Sequence, residues 1–201
     1  LYASSLILPD AVAVLLAILT RLLITGCLHE DGLADFFDGF GGGTSRERIL
    51  AIMKDSHIGS YGVIGLIGYF SLYYTLLSSL PLTVAGAAML AGDPFSKGVS
   101  AMIINRLPYA RKEEEAKNKT VYSRMTATEY LICLIPACLS LYWLPGIVYA
   151  GAALFPIVVW YLLTSLMKHK IQGYTGDCCG ALFLLCELSF MLGIVIIHTL
   201  S

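Results

Sequence analysis

The chain contains few charged residues. Asp, Glu, Lys and Arg together make up 13% of its 201 residues, whereas hydrophobic residues make up 57%. A soluble domain carries roughly a quarter charged residues, so this chain has too few of them to cover itself with a polar surface. Lipid must therefore be part of its solvent. We predict an all-α, multi-pass transmembrane helical bundle that forms a single integral-membrane domain over residues 1–201.

Several common kinds of site are missing as well. The net charge of -1 gives no argument for nucleic-acid binding, so no nucleic-acid partner is predicted. The six cysteines show no C-x-x-C pattern and no paired framework, which argues against a disulfide scaffold. The four histidines lack the spacing of metal ligands, so no zinc site is predicted. Functional information must therefore come from the few charged residues and from where they lie.

Long apolar segments are the main structural signal. A membrane-crossing helix needs about 20 mostly apolar residues. Six segments reach or approach that length: 6–28, 60–80, 82–104, 129–144, 146–167 and 180–200. The connections 29–59, 105–128 and 168–179 hold all of the 13 Lys and Arg residues except Arg21 and Lys97.

The positions of the basic residues predict the orientation in the membrane. Connections rich in Lys and Arg face the cytoplasm. We therefore predict that the three polar connections share the cytoplasmic side of the cell (inner) membrane. The sequence Asn118-Lys119-Thr120 matches a glycosylation acceptor, and we expect no glycan there because this loop is predicted to be cytoplasmic.

Residues 44–58 are predicted to form a helix on the cytoplasmic membrane surface. Thr44 and Glu47 have the spacing of a capping box, and the glycines at 41–43 provide a flexible break before it. The apolar residues of the segment repeat at helical spacing and would form one face: Ile49, Leu50, Ile52 and Met53. A helix lying in the headgroup region and a catalytic segment both fit this pattern.

The densest functional signal is the segment 29–39, with the sequence HEDGLADFFDG. Asp31, Asp35 and Asp38 are spaced i, i+4, i+7, which places them on one face of a helix. Like charges at this spacing repel by about 0.2–0.5 kcal/mol per pair in water. Three such carboxylates suggest a bound cation, and oxygen ligands near a phosphate suit Mg²⁺ or Mn²⁺. A solvated acidic helix end is the alternative, which explains the charge but not the spacing.

Basic residues follow this segment directly. They are Arg46, Arg48 and Lys54, and Asp55 is next to the last of them. Arginine binds phosphate oxygens through two parallel N–H groups. An acidic cluster combined with Arg and Lys is typical of phosphoryl-transfer sites. Each basic residue also fits a simple topology signal, and this alternative stays open.

Four charged residues lie inside predicted spans: Arg21, Asp93, Lys97 and Glu187. A charge at the bilayer centre costs at least about 2.5–3.5 kcal/mol, so each must pair or face a polar cavity. Asp93 and Lys97 have the spacing of an i, i+4 pair, but Lys97 turned toward a substrate phosphate also fits. Glu187 either ligates a metal or bonds a neighbouring helix.

The last polar connection contains several glycines and one carboxylate. Glycine allows the backbone to approach a ligand closely. Asp177 stands just before a predicted span, at the depth expected for Asp31. It therefore joins the residues that we expect at the same membrane face.

The chain resembles the cobalamin synthases (adenosylcobinamide-GDP ribazoletransferases) from about residue 25 to residue 190. The similar blocks are His29-x-Asp31-Gly32-Leu33-Ala34-Asp35-x-x-Asp38-Gly39, Gly42-Gly43, Arg46-x-Arg48, Ile52-Met53-Lys54-Asp55-Ser56-His57-Ile58-Gly59-x-x-Gly62, Leu107-Pro108-Tyr109-Ala110-Arg111 and Gly173-x-Thr175-Gly176-Asp177-x-x-Gly180-Ala181, with Glu187 after them. Lys97 stands where that family is expected to have an arginine. The resemblance also predicts a further stretch of chain before residue 1.

The resemblance implies a transferase that joins α-ribazole, or its 5′-phosphate, to adenosylcobinamide-GDP and releases GMP. This is the last stage of assembly of the cobalamin nucleotide loop. The expected cofactor is Mg²⁺, or Mn²⁺ in its place. Contact with membrane lipid is expected, and a homo-oligomer fits as well.

The residues that we expect to serve this reaction fall into three groups. The expected metal ligands are Asp31, Asp35, Asp38, Asp177 and Glu187. The expected catalytic residues are Asp31, Asp35, Asp38, Lys54 and Asp55, with Asp38 or Asp55 as the base toward a ribose hydroxyl. The expected substrate contacts are His29, Arg46, Arg48, Lys97, Arg111, Thr175 and Asp177.

Two other functions fit parts of the pattern. A CDP-alcohol phosphotransferase also uses a D-G-x-x-A block at a membrane face, but that family has an arginine after the alanine, where this chain has Asp35. An ion-coupled transporter would place functional charges near the bilayer midplane and would show repeated halves. Here the acidic residues cluster at the membrane boundary and no repeat is visible.

Overall fold

A computed structural model describes residues 1–111 and 123–201 of the chain, so the acceptor at Asn118 lies outside the described residues. The helices are α1 (Tyr2–Ser5), α2 (Asp10–Thr25), α3 (Leu28–Gly42), α4 (Arg46–Ile52), α5 (Ser60–Ser78), α6 (Leu82–Ala101), α7 (Ile103–Arg106), α8 (Ala127–Ser140), α9 (Leu154–Ile171) and α10 (Gly176–Leu200). Two 3₁₀ helices, Leu141–Trp143 and Ile147–Ala153, connect α8 to α9. The prediction of an all-α membrane bundle is confirmed.

Within the described ranges 1–111 and 123–201, three helical segments are long and apolar enough to cross a membrane: α5, the segment Ile147–Ile171 that contains α9, and α10. A fourth crossing is reached if α2 and α3 form one span, although their axes meet at 91°. The predicted six spans are therefore not confirmed. Two of the predicted spans are short, since α2 has 16 residues and α8 has 14. The helix α6 is long enough, but Asp93 and Lys97 make it less apolar.

A sharp turn between α2 and α3 explains why the first predicted span is short. Gly26 ends α2 with a φ of 62°, in the left-handed region that glycine adopts without steric cost. Cys27 continues in the same region with a φ of 58°. After this turn, α3 packs against α10, α5 and α4. The acidic segment therefore lies on a packed helix rather than in a loop.

The first turns of α3 and α10 are in direct backbone contact. A Cβ atom at Gly32 would lie 3.0 Å from the Cα of Asp177. A Cβ atom at Gly180 would lie 3.1 Å from the carbonyl oxygen of His29. Two glycines thus allow the helix ends that carry Asp31 and Asp177 to approach closely.

The predicted surface helix is shorter than expected. It covers Arg46–Ile52 instead of 44–58, and its N-cap is Ser45, whose side chain accepts a hydrogen bond from the Arg48 amide at 3.2 Å. The capping box predicted at Thr44 is therefore wrong. The extended backbone of Ser45, with φ −124° and ψ 163°, has the geometry that an N-cap requires.

The apolar face predicted for this helix is confirmed. Ile49 and Met53 are fully buried, and Leu50 and Ile52 are half-buried. Met53 lies so close to Gly39 of α3 that a side chain at Gly39 would meet it. The glycine break predicted at 41–43 is reduced to Gly43, because α3 continues through Gly42.

The three polar connections meet at one end of the fold. The Tyr174 amide donates to the Pro108 carbonyl at 3.0 Å, and the Ala110 amide donates to the Tyr174 carbonyl at 2.8 Å. Arg46 joins the first connection to the other two, donating from Nε to the Ile171 carbonyl at 2.9 Å and from Nη2 to the Ala110 carbonyl at 2.7 Å. This common end is what the charge pattern predicts for connections that share one membrane side.

Candidate active site

A cavity of about 490 Å³ opens where α3, α6 and α10 meet. It is lined by Leu28, His29, Asp31, Lys97, Ser100, Ala101, Ile104, Tyr109, Arg111, Thr175, Gly176, Asp177, Cys179, Gly180 and Phe183. All three polar connections contribute side chains to it. Its volume lies within the range of about 300–1,000 Å³ that is usual for small-molecule sites.

Two carboxylates line this cavity from opposite helices, Asp31 on α3 and Asp177 on α10. Mg²⁺ is commonly held by one or two carboxylates that share it with substrate phosphates and waters. Such a pair, on helix ends whose backbones touch, therefore fits Mg²⁺. Within residues 1–111 and 123–201, however, no group of three or more His, Cys, Asp or Glu side chains is arranged to hold a metal.

Asp38 has a different environment from Asp31. It lies seven residues further along α3, which is about 10 Å at 1.5 Å per residue. Its Oδ2 atom accepts a hydrogen bond from the Gly59 amide at 2.6 Å. Its Oδ1 accepts a hydrogen bond from the Gly62 amide at 2.8 Å. Asp38 is buried and caps the start of α5, whereas Asp35, which lies between Asp31 and Asp38 on α3, is half-buried. The three aspartates share a helix face but not a single site, because α10 packs at one end of α3 and α5 at the other.

A second cavity, of about 580 Å³, lies at the Asp38 end of α3. Asp55 and His57 line it, and the His57 Nδ1 atom lies 2.7 Å from Asp55 Oδ1. This side-chain hydrogen bond, together with the one from the His57 amide, lowers the pKa of Asp55 and makes it a weaker base. The two predicted bases, Asp38 and Asp55, therefore line a cavity that does not contain Asp31. Arg48 also lines this second cavity.

The predicted basic residues divide between the two ends of the site. Lys97 and Arg111 line the first cavity. The Lys97 Nζ atom lies 2.8 Å from Asp93 Oδ2, so Lys97 both pairs within α6 and faces the cavity. Arg111 donates from Nη2 to the Leu50 carbonyl at 3.1 Å. Lys54 is exposed and lines neither cavity.

Arg46, a predicted substrate contact, lines neither of the two cavities. Its guanidinium donates to two backbone carbonyl oxygens and holds the polar connections together. Thr175 has two roles: it lines the first cavity, and its Oγ1 accepts a hydrogen bond from the Cys178 amide at 3.3 Å as the N-cap of α10.

Phe183 and Tyr109 form part of the cavity wall, and neither was predicted as a site residue from the sequence. The rings of His29 and Phe183 are in edge contact with centroids 4.8 Å apart, and the Lys97 Nζ atom lies 5.0 Å from the Phe183 centroid. Burial raises the pKa of Tyr109, so its phenol stays protonated and can donate a hydrogen bond. An aromatic residue inside an apolar helix carries no sequence signal that distinguishes a cavity wall from a packed core.

Glu187 was expected either to ligate a metal or to bond a neighbouring helix, and the structure places it in an ion pair with Arg21. It is fully buried, and each of its carboxylate oxygens lies 2.7 Å from Arg21 Nη1. The Tyr73 hydroxyl donates to Glu187 Oε1 at 3.1 Å. With both oxygens engaged in this way, Glu187 does not face the cavity that contains Asp31 and Asp177.

Comparison with known proteins identifies relatives of the chain. The family model described as Cobalamin-5-phosphate synthase matches residues 1–195. An adenosylcobinamide-GDP ribazoletransferase of Shewanella sp. (strain W3-18-1) is 40% identical over 196 residues, covering 96% of this chain and 75% of the relative. An adenosylcobinamide-GDP ribazoletransferase of Shewanella oneidensis is 41% identical over 184 residues, covering 90% of this chain and 70% of the relative. No solved structure matches the chain.

Proposed function

The chain belongs to the cobalamin-5-phosphate synthase family, and from this premise we propose that it joins α-ribazole, or its 5′-phosphate, to adenosylcobinamide-GDP with release of GMP. This reaction is the last stage of assembly of the cobalamin nucleotide loop. The family and the names of the relatives support it over the two rival functions, a CDP-alcohol phosphotransferase and an ion-coupled transporter.

The observation that carries the proposal is the charge of the first cavity. Asp31 and Asp177 face it together with Lys97 and Arg111. Phosphoryl transfer is catalysed mostly by positioning and by neutralising charge, which is what such a mixed set of charges can do. We place Mg²⁺, with Mn²⁺ as a substitute, at Asp31 and Asp177. When bound, the ion would polarise a phosphoryl oxygen and offset the charge of the diphosphate.

The remaining residues of the cavity have roles that follow from their chemistry. A ribose hydroxyl of α-ribazole attacks the cobinamide-proximal phosphorus, a new P–O bond forms, and the P–O bond to GMP breaks. We assign His29, which lines the cavity, as the acceptor of the hydroxyl proton, since a neutral imidazole can act as a general base near neutral pH. Lys97 and Arg111 offset the charge that develops on the departing GMP phosphate.

Removal of the metal tests this assignment. Treatment of the purified chain with EDTA is expected to stop GMP release, and addition of Mg²⁺ in excess of the chelator is expected to restore it. The matched control is Glu47→Gln, which changes an exposed residue of α4 outside both cavities and should respond to EDTA and Mg²⁺ as the parent does. GMP release that is insensitive to EDTA would remove the metal from the proposal.

We also propose that the cavity faces the cytoplasm from the inner membrane, because the basic connections meet at its end of the fold. In a variant without the exposed Cys27, Cys133 and Cys138, single cysteines at Thr44 and Gly146 report the two sides. A membrane-impermeant maleimide should label Gly146→Cys in intact cells and Thr44→Cys only after permeabilisation. Labelling of Thr44→Cys in intact cells would reverse the orientation.

A further inference from the structure

Arg21 lies at the centre of a buried network that joins four helices. From α2, its Nη1 atom contacts both oxygens of Glu187 on α10 at 2.7 Å and the Tyr73 hydroxyl on α5 at 3.1 Å. The guanidinium carbon also lies 5.5 Å from the centroid of the Tyr73 ring and 5.6 Å from that of Phe183. The mechanism proposed above uses none of Arg21, Tyr73 and Glu187.

The network reaches α3 through Glu30. Arg21 Nη2 lies 3.8 Å from Glu30 Oε1, and Glu30 is only 5% exposed. Among the described residues, neither Arg21 Nη2 nor Glu30 Oε2 has a hydrogen-bond partner, although both atoms are buried. The attraction between these two opposite charges is therefore poorly screened by water.

The position of Glu30 connects this network to the active site. Glu30 stands between His29 and Asp31 in the first turn of α3. That turn follows two left-handed residues, and the N-cap of α3, Cys27, makes no side-chain hydrogen bond to it. The charge on Arg21 thus contacts this turn from a neighbouring helix.

Phe183 provides a second connection between the network and the cavity. The centroid of its ring lies 5.6 Å from the Arg21 guanidinium carbon and 5.0 Å from Lys97 Nζ. It also lies 4.8 Å from the centroid of the His29 ring. A cation close to an aromatic face is attracted by the ring quadrupole, which favours a fixed ring position. The buried network is therefore separated from the cavity by one aromatic ring.

We propose that Arg21, held in place by Glu187, is a positioning residue that fixes the first turn of α3 through Glu30. In this role it aims His29 and Asp31 at the cavity without touching the substrate. The catalytic consequence rests on the proposed function, whereas the ordering of the α3 turn does not. Glu187 thereby acquires a role in the site other than metal ligation.

The charges must be removed in pairs to separate positioning from folding. Removing one partner of a buried ion pair leaves an uncompensated charge and destabilises the protein, whereas replacing both partners with neutral residues is often tolerated. The test variant is therefore Arg21→Met/Glu187→Gln, in which the introduced amide can still accept a hydrogen bond from Tyr73. Glu30→Gln is the second variant, since it removes only the attraction to Arg21 and keeps the shape of the side chain.

The experiment combines hydrogen exchange, a melting curve and steady-state kinetics in detergent. Glu30→Gln is expected to melt near the parent temperature, whereas Arg21→Met/Glu187→Gln should melt lower because it leaves the buried Glu30 without a cationic partner. Both variants are expected to exchange the backbone amides of residues 28–34 at least about tenfold faster and to lose kcat by at least about tenfold with little change in KM. The control is Tyr149→Phe, which removes a 2.7 Å hydrogen bond to His198 near the opposite end of α10 and should change neither readout.

Each outcome decides the proposal. Unchanged exchange at residues 28–34 in Glu30→Gln overturns it, and so does an unchanged kcat in a variant with faster exchange. If Arg21→Met/Glu187→Gln does not fold, Glu30→Gln alone gives the result. A folded parent that releases no GMP would overturn the proposed function, and the exchange measurement would still decide whether Arg21 orders the α3 turn.

Discussion

Replacing Asp31 with asparagine is expected to lower kcat by about 10²–10⁴-fold, because charge stabilisation by a metal is worth several kcal/mol and each 1.36 kcal/mol is a factor of about ten in rate. Asp31 is exposed in the first cavity, and asparagine keeps its shape. The melting temperature should therefore change little. The measurement is GMP release at saturating Mg²⁺ together with a melting curve in detergent.

The matched control for this variant is Glu47→Gln, which neutralises an exposed acidic residue on α4 outside both cavities. It should keep the parent turnover. If Asp31→Asn turns over within a few-fold of the parent, Asp31 is not a metal ligand. A loss of activity that follows a loss of folded protein would make Asp31 structural.

Replacing Asp38 with alanine is expected to act on stability instead. The change leaves the partly buried amide of Gly59 and the buried amide of Gly62 without their acceptor, and a hydrogen bond to a charged group contributes about 1.5–3 kcal/mol. The free energy of unfolding should fall by roughly 3 kcal/mol, allowing for partial relaxation of α5. Activity per folded molecule should fall much less than in Asp31→Asn.

Asp55→Ala is the control for Asp38→Ala, because Asp55 lines the same cavity but is exposed. Its melting temperature should stay near that of the parent. An Asp38→Ala variant that melts normally and has no activity would contradict the capping role. In that case the predicted site shared by Asp31, Asp35 and Asp38 would again be the better account.

The sequence predicts the class of fold well and its details less well. The low charge and long apolar segments suffice for a helical membrane bundle, since every backbone polar group must be satisfied within lipid. Hydropathy did not reveal that the chain turns by 91° after Gly26, and the predicted six spans are not confirmed. The same turn places the acidic segment on the packed helix α3.

The sequence predicted some of the residues that line the first cavity, but not that Asp31 and Asp38 of α3 line different cavities. His29, Lys97, Arg111, Thr175 and Asp177 come from distant parts of the chain and line one cavity with Asp31. Among them, only Asp177 was expected from its depth in the membrane. Helical spacing placed the three aspartates on one face, but tertiary packing decides which neighbour each of them meets.

Two residues show where reasoning from residue type fails. An arginine that binds backbone carbonyls and one that binds phosphate have the same sequence signal, which is why Arg46 was predicted as a substrate contact. Glu187 was expected to pair or to ligate a metal, and nothing in the sequence identified Arg21 as its partner. The cost of a buried charge predicts that a partner exists, but not which residue it is.

The most direct test of the account is the dependence of GMP release on the second substrate. The purified chain is incubated with adenosylcobinamide-GDP and Mg²⁺, with and without α-ribazole 5′-phosphate. The account predicts equal amounts of GMP and of a new corrinoid product, both formed only when α-ribazole 5′-phosphate is present and both lost in Asp31→Asn. GMP release without that substrate, or no release by a folded parent chain, would contradict it.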